Sequence, residues 1–132
     1  MKIENITIDS KQARGFYSPA KKIDLNDSYL IFVSGIQCPK DENKNILSED
    51  IKEQTILVFE EIGKILKNAG ATFDDVVKAV IYLTDMKDFS IVSEIRQEYF
   101  KNSKPVSTMV EVNGFTEQKS KIEIEVTAII NK

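Results

Sequence analysis

Apolar and polar residues alternate along the first part of the chain, which is the pattern of β-strands. The segment MKIENITI alternates, and AKKIDLN then leads into the turn-forming pair Asn26-Asp27. The segment YLIFVSGIQ follows as a nearly continuous apolar run, as in a strand that is covered on both faces. Three strands are therefore predicted before the polar loop CPKDENKNILSED.

A helical period replaces this alternation near Asp50. Ser48 or Asp50 can cap the helix, because the oxygens of their side chains can accept hydrogen bonds from the free amides of the first turn. The apolar residues that follow recur at three- and four-residue spacing and form one stripe: Ile51, Val58, Ile62, Ile65 and Ala69. Gly70 suits the position that ends such a helix.

The second half of the chain predicts one more helix and three more strands. The strand VVKAVIYLT precedes a helix that must end before Pro105, and the strands VSTMVEV and KIEIEVTAII follow. The order β-β-β-α-β-α-β-β predicts a single α+β domain over residues 1–132, with two helices on one face of a six-stranded mixed sheet. The uncovered sheet face then needs a partner, so a homo-oligomer is expected.

Composition narrows the expected partners and compartment. Hydrophobic residues make up 42% of the chain and charged residues 30%, as in an ordinary globular domain. The N-terminal segment lacks the apolar core of a signal peptide, and a chain with one cysteine can form no internal disulfide, so a cytoplasmic protein is expected. The net charge of −3 argues against a nucleic-acid partner, and no apolar run approaches the roughly 18 residues of a membrane span. Small molecules are the expected partners.

The last strand carries two carboxylates on one face. Alternation directs Glu123 and Glu125 away from Ile122 and Ile124. Such a pair can serve in general acid–base chemistry if one carboxylate is desolvated, and a solvated strand face is the alternative.

The strand KPVSTMVEV carries two hydroxyls. We expect Val106, Thr108 and Val110 to face the core, and Ser107 and Met109 to lie on the other face. The chain has no histidine, so Ser107 cannot belong to a Ser-His-Asp triad, and a metal site is not expected either. On the residues alone, the plainer interpretation of Ser107 is a hydroxyl that satisfies a local hydrogen bond.

Several segments of the chain resemble the RidA family, also called YjgF or L-PSP. The resemblance rests on AGATFDDVVKAVIYLTDMKDF and on the ending IEIEVTA. Three short matches, GFYS, VSGIQ and KPVSTMV, follow the order and spacing of the family's segments. The resemblance covers almost the whole chain and implies a chorismate-mutase-like fold, a homotrimer with clefts between its subunits, and no cofactor.

The resemblance also implies an activity and a set of site residues. The activity is the hydrolysis of 2-iminobutanoate and 2-iminopropanoate to 2-keto acids and ammonia. By position, it assigns catalytic roles to Glu123, which would position the attacking water, and to Tyr17. It places Gly35, Met109 and Ser93 around the substrate in the cleft.

Ser107 stands where the family has an arginine that binds the substrate's carboxylate. Because serine supplies no charge, we expect low or absent activity on 2-aminoacrylate. Arg14, next to the GFYS segment, is a candidate for the missing cation on the other wall of the cleft. Two alternatives remain open: a non-catalytic metabolite-binding or regulatory trimer, and an L-PSP-type endoribonuclease, for which a chain without histidine or a basic patch is poorly equipped.

Overall fold

The computed structural model describes residues 1–8 and 16–132, which form a six-stranded mixed sheet with two α-helices on one face. The strands are β1 (Ile3–Ile6), β2 (Ala20–Asp24), β3 (Ser28–Gln37), β4 (Val76–Leu83), β5 (Val106–Glu111) and β6 (Ile122–Asn131), and the helices are α1 (Ile51–Asn68) and α2 (Phe89–Phe100). The strand order is β1-β2-β3-β6-β4-β5, in which only β4 and β5 are parallel. The predicted six-stranded sheet with two helices is confirmed. In the described part of the chain, no helix combines the length and apolarity of a membrane span.

Helix α1 begins and ends as its sequence predicts. The Asp50 carboxylate accepts a hydrogen bond from the amide of Glu53 at 3.0 Å, while the Ser48 hydroxyl accepts from the amide of Asp50 at 3.1 Å. Gly70 follows the helix with a φ of 86°, which a glycine adopts without strain. The predicted apolar stripe is buried along its whole length.

An aromatic cluster joins the two helices. The Phe59 ring of α1 stacks on the Tyr99 ring of α2 with centroids 4.4 Å apart. Phe59 also meets Phe100 edge-on, with centroids 5.4 Å apart. Because such aromatic pairs bury a large area in a defined geometry, the cluster fixes α2 relative to α1 and hence relative to the strand that α2 covers.

The helices leave one sheet face uncovered, and we call it the open face. Its members alternate with the buried residues of the strands and are exposed or half-buried: Phe32, Tyr82, Val106, Val110, Glu123, Glu125 and Ile129. The opposite side, the helix face, holds the core. On β6 the prediction is confirmed, since Ile122 and Ile124 are fully buried while Glu123 and Glu125 lie on the open face.

The prediction for β5 was wrong about which face is buried. Val106 is 69% exposed and Val110 38%, whereas Met109 packs against the core. Ser107 pairs in register with the fully buried Ala79, so it also lies on the helix face. Alternation separates the two faces of a strand but does not say which one the helices cover. In this edge strand the valines lie on the side of the sheet that the two helices leave uncovered.

Candidate active site

The predicted site residues lie in two groups on opposite faces of the sheet. Glu123 pairs in register with Gln37 and Tyr82, and all three lie on the open face. Ser107 lies on the helix face of β5, and strand β4 separates it from β6. Within one protomer the sheet therefore stands between Ser107 and Glu123.

The first group is the glutamate cluster, formed by Glu123, Gln37 and Gly35. The Gln37 amide nitrogen Nε2 donates a hydrogen bond to Glu123 Oε1 at 3.0 Å. The pairing of β3 with β6 shifts register between Val33 and Ile36, and this irregularity brings Gly35 against the glutamate. A Cβ atom at residue 35 would lie 2.6 Å from Glu123 Oε2, so the carboxylate occupies the space that glycine leaves empty.

Only one oxygen of the Glu123 carboxylate is engaged. Oε1 accepts from Gln37, while Oε2 receives no hydrogen bond from any of the described residues. An ionised carboxylate oxygen is a hydrogen-bond acceptor. Oε2 can therefore accept a hydrogen bond from a water molecule or a ligand.

Tyr82 is a neighbour of this cluster that the sequence reasoning missed. Its hydroxyl donates a short hydrogen bond to the Glu125 carboxylate. This bond, with smaller contributions from burial and from the charges of Glu125 and Glu123, raises the pKa of Tyr82 to about 12. The available signal was the alternation of β4, which sets Tyr82 between the buried residues Ile81 and Leu83. Each of the two carboxylates thus has one oxygen bonded, Glu125 to Tyr82 and Glu123 to Gln37, and Glu123 is the one that lies against Gly35.

A cavity of about 550 Å³ adjoins the cluster and brings Tyr17, Gly35 and Gln37 together. Tyr17 is 74% exposed in the protomer, so its ring and hydroxyl are accessible to a ligand or to a second subunit. Cys38 also lines the cavity, but it is buried and its burial raises the pKa of its thiol. The structure thus places Tyr17 and Gly35 on the lining of one cavity, together with a buried cysteine.

The second group is built around Arg96 of α2, which the sequence reasoning did not select. Arg96 Nη1 donates to the Ser107 hydroxyl at 3.2 Å, and Nη2 donates to the Ser93 hydroxyl at 3.0 Å. Ser93 and Arg96 are three residues apart on one helix face, and this spacing was the signal available in the sequence. Arg14, the predicted replacement cation, lies outside the described residues.

A second cavity, of about 610 Å³, opens beside this guanidinium, and we call it the arginine cavity. Its lining residues include three cations and no carboxylate: Arg96, Gln97, Phe100, Lys101, Lys104, Pro105 and Ser107. Lys104 lines this cavity together with Ser107, although strict strand alternation would set residues 104 and 107 on opposite faces. Lys104 precedes the first residue of β5 and has a φ of 45°, so the alternation of the strand does not apply to it.

Comparisons with known proteins agree on one family. A family model described as endoribonuclease L-PSP matches residues 7–130. The chain is 44% identical over 119 residues to a RutC family protein of Pyrococcus abyssi, covering 89% of this chain and 87% of that protein. It is 33% identical over 123 residues to the human protein named 2-iminobutanoate/2-iminopropanoate deaminase, covering 93% of this chain and 86% of that protein.

Solved structures show the same architecture. The YyfA protein of the conserved Rid family from Yersinia pestis superposes with a TM-score of 0.85 at 30% identity, covering 98% of this chain and 100% of that chain. RidA from an Antarctic Psychrobacter bacterium superposes with a TM-score of 0.79 at 29% identity, covering 96% of this chain and 99% of that chain.

Proposed function

Because the chain belongs to the endoribonuclease L-PSP family, which includes the RidA and YjgF proteins, we propose that it is a cofactor-free deaminase of small 2-imino acids. Its substrates are 2-iminobutanoate and 2-iminopropanoate, and its products are the corresponding 2-keto acids and ammonia. The observation that carries this proposal is the Glu123 carboxylate, which Gln37 holds above Gly35 with Oε2 open. The name of the human relative supports the choice of substrate.

The chemistry needs one water molecule and one proton acceptor. Water hydrogen-bonded to Glu123 Oε2 adds to the carbon of the C=N bond as the carboxylate accepts its proton. The carboxylate passes this proton to the imine nitrogen, which gives a carbinolamine. The hydroxyl proton of the carbinolamine then moves through the carboxylate to the same nitrogen as the C–N bond breaks, the C=O bond forms and ammonia leaves. Tyr17 lines the cavity beside Gly35 and Gln37, and we propose that it contacts the ligand there.

We propose that the complete site forms between two subunits of a homotrimer. The glutamate cluster lies on the open face, whereas Ser107 and Met109 lie on the helix face of the edge strand β5. Contact between the β5 edge of one copy and the open face of the next joins two different surfaces, and such contacts form a closed ring of three when the rotation between copies is threefold. This arrangement would also cover the exposed valines of β5.

The test couples the protein to a dehydratase that releases 2-iminobutanoate from threonine. Because Ser107 supplies no charge, we expect a slow but measurable acceleration of the appearance of 2-oxobutanoate. Glu123→Gln should abolish this acceleration while circular dichroism and oligomeric state stay unchanged. Glu60→Gln is the control, since it removes an exposed carboxylate on α1 away from both cavities. If the wild-type protein causes no acceleration, the proposal is wrong.

A non-catalytic metabolite-binding trimer is the second candidate. It is favoured by Ser107, which supplies no charge at the position where the resemblance implies an arginine. In that case, 2-oxobutanoate would bind without any turnover of the imine. An endoribonuclease, the activity in the family model's description, has the least support, because the chain has a net charge of −3 and no histidine for proton transfer.

A further inference from the structure

We infer that Arg96 binds the carboxylate of the ligand, so that the cation of the site comes from helix α2 and not from strand β5. The inference rests on the proposed function in one respect, the identity of the ligand as a small 2-imino or 2-keto acid. It adds a specificity-determining residue that the sequence reasoning did not identify.

The Arg96 guanidinium has neutral hydrogen-bond partners and N–H groups that are still free to donate. Its two hydrogen bonds go to the hydroxyls of Ser93 and Ser107, both of which are neutral. Among the described residues, the three ion pairs are Lys40–Glu117, Lys64–Glu61 and Lys132–Asp24, so Arg96 has no carboxylate partner there. The remaining N–H groups can therefore donate to an anion.

The surroundings of Arg96 favour an anion. The arginine cavity has a volume of about 610 Å³, and Lys101 and Lys104 add two further positive charges to its lining. No carboxylate lines it, while Phe100 and Pro105 offer apolar contacts for a short alkyl chain. A planar guanidinium matches a carboxylate with two parallel hydrogen bonds, so a small carboxylic acid fits this lining.

The two serines hold the guanidinium in place. Ser93 bonds Nη2 from the preceding turn of α2, and Ser107 bonds Nη1 from β5. Holding the side chain at both nitrogens limits its rotamers and lowers the entropy that a ligand's binding would otherwise cost. A cation at residue 107 would instead lie within a few ångströms of Arg96 and repel it. Ser107 therefore does not replace the cation but positions the Arg96 guanidinium, which α2 supplies.

The experiment measures binding by isothermal titration calorimetry, using 2-oxobutanoate as the probe. We expect Arg96→Met to weaken binding of 2-oxobutanoate by about tenfold or more, since it removes hydrogen bonds to a charged group. Binding of the neutral 2-oxobutanamide should be the same in wild type and variant. Lys52→Met is the matched control, because it removes one exposed positive charge from α1, outside both cavities, and should bind 2-oxobutanoate as wild type does.

The outcomes separate this inference from the proposed function. The inference is overturned if Arg96→Met keeps its circular dichroism and oligomeric state but binds 2-oxobutanoate as tightly as wild type. It is also overturned if the wild-type protein binds inorganic phosphate and does not bind 2-oxobutanoate. If binding depends on Arg96 but the wild-type protein does not hydrolyse the imine, the inference holds and the deaminase proposal fails. If the wild-type protein hydrolyses the imine and Arg96→Met hydrolyses it equally fast, the deaminase proposal holds and the inference fails.

Discussion

At the residue scale, the Glu123 carboxylate occupies the space that a side chain at residue 35 would fill. We predict that Gly35→Ala lowers kcat/KM for imine hydrolysis on the order of a hundredfold, because its Cβ would displace the Glu123 carboxylate from its position. The thermal unfolding midpoint should change little, since the displaced atoms are the far end of a flexible side chain. The coupled dehydratase assay and calorimetry measure the two effects.

Gly114→Ala is the control for this substitution, because a Cβ at residue 114 would meet no atom within 4 Å. It should alter neither activity nor stability. Full activity of Gly35→Ala would show that the position of the Glu123 carboxylate is unimportant for the reaction.

The effect of substituting Ser107 on ligand binding depends on whether Arg96 is present. From sequence alone, Ser107→Arg is the obvious way to install a carboxylate-binding cation. In the structure the Ser107 hydroxyl accepts a hydrogen bond from Arg96, so an arginine there would bring two like charges together. We predict that Ser107→Arg does not raise affinity for 2-oxobutanoate, whereas Arg96→Ser combined with Ser107→Arg binds it more tightly than Arg96→Ser alone. Tighter binding by the Ser107→Arg single variant in calorimetry would contradict this coupling.

At the element scale, the position of Arg96 depends on how α2 packs on α1. Phe59 is fully buried and contacts both Tyr99 and Phe100 of α2. We predict that Phe59→Ala lowers the free energy of unfolding by about 3–5 kcal/mol, because it leaves a cavity between the helices. Urea denaturation at one fixed protein concentration measures the change, and Phe16→Ala, which removes a fully exposed ring, is the control. A loss below about 1 kcal/mol would mean that the core refills the space.

The elements also differ in how far local sequence predicts them. Helix α1 is set by its cap at Asp50, its apolar stripe and Gly70, all of which lie within or next to the helix. Strand β5 is predicted as a strand, but the side of it that is buried depends on the parallel partner β4 and on the helix packed above them. Local pattern therefore determines that β5 exists, and long-range packing determines its orientation.

At the scale of the whole molecule, the two halves of the site can be tested by mixing. Glu123→Gln alone should be inactive, and Arg96→Met alone should keep at most about a tenth of wild-type activity at low substrate concentration. If every cleft takes Glu123 from one subunit and Arg96 from its neighbour, refolding an equal mixture should leave about a quarter of the clefts with both residues intact. We therefore predict recovery of about a quarter of wild-type activity in the mixture, measured with the coupled assay.

Separately refolded samples that are combined afterwards are the control, and their activity should not rise above that of the two variants measured singly while the subunits do not exchange. Activity that never returns in the refolded mixture, although the mixed oligomers form, would show that Glu123 and Arg96 do not serve the same cleft.

The sequence by itself determined the order of the elements, the buried stripe of α1 and the direction of Glu123 away from the core, because each depends on residues within one helix or strand. The resemblance to the RidA family also indicated which positions to inspect. Only the tertiary structure decided that Ser107 lies under Arg96 and that Glu123 fills the space above Gly35. These contacts join different elements, and their geometry follows from strand register and helix packing, which periodicity does not specify.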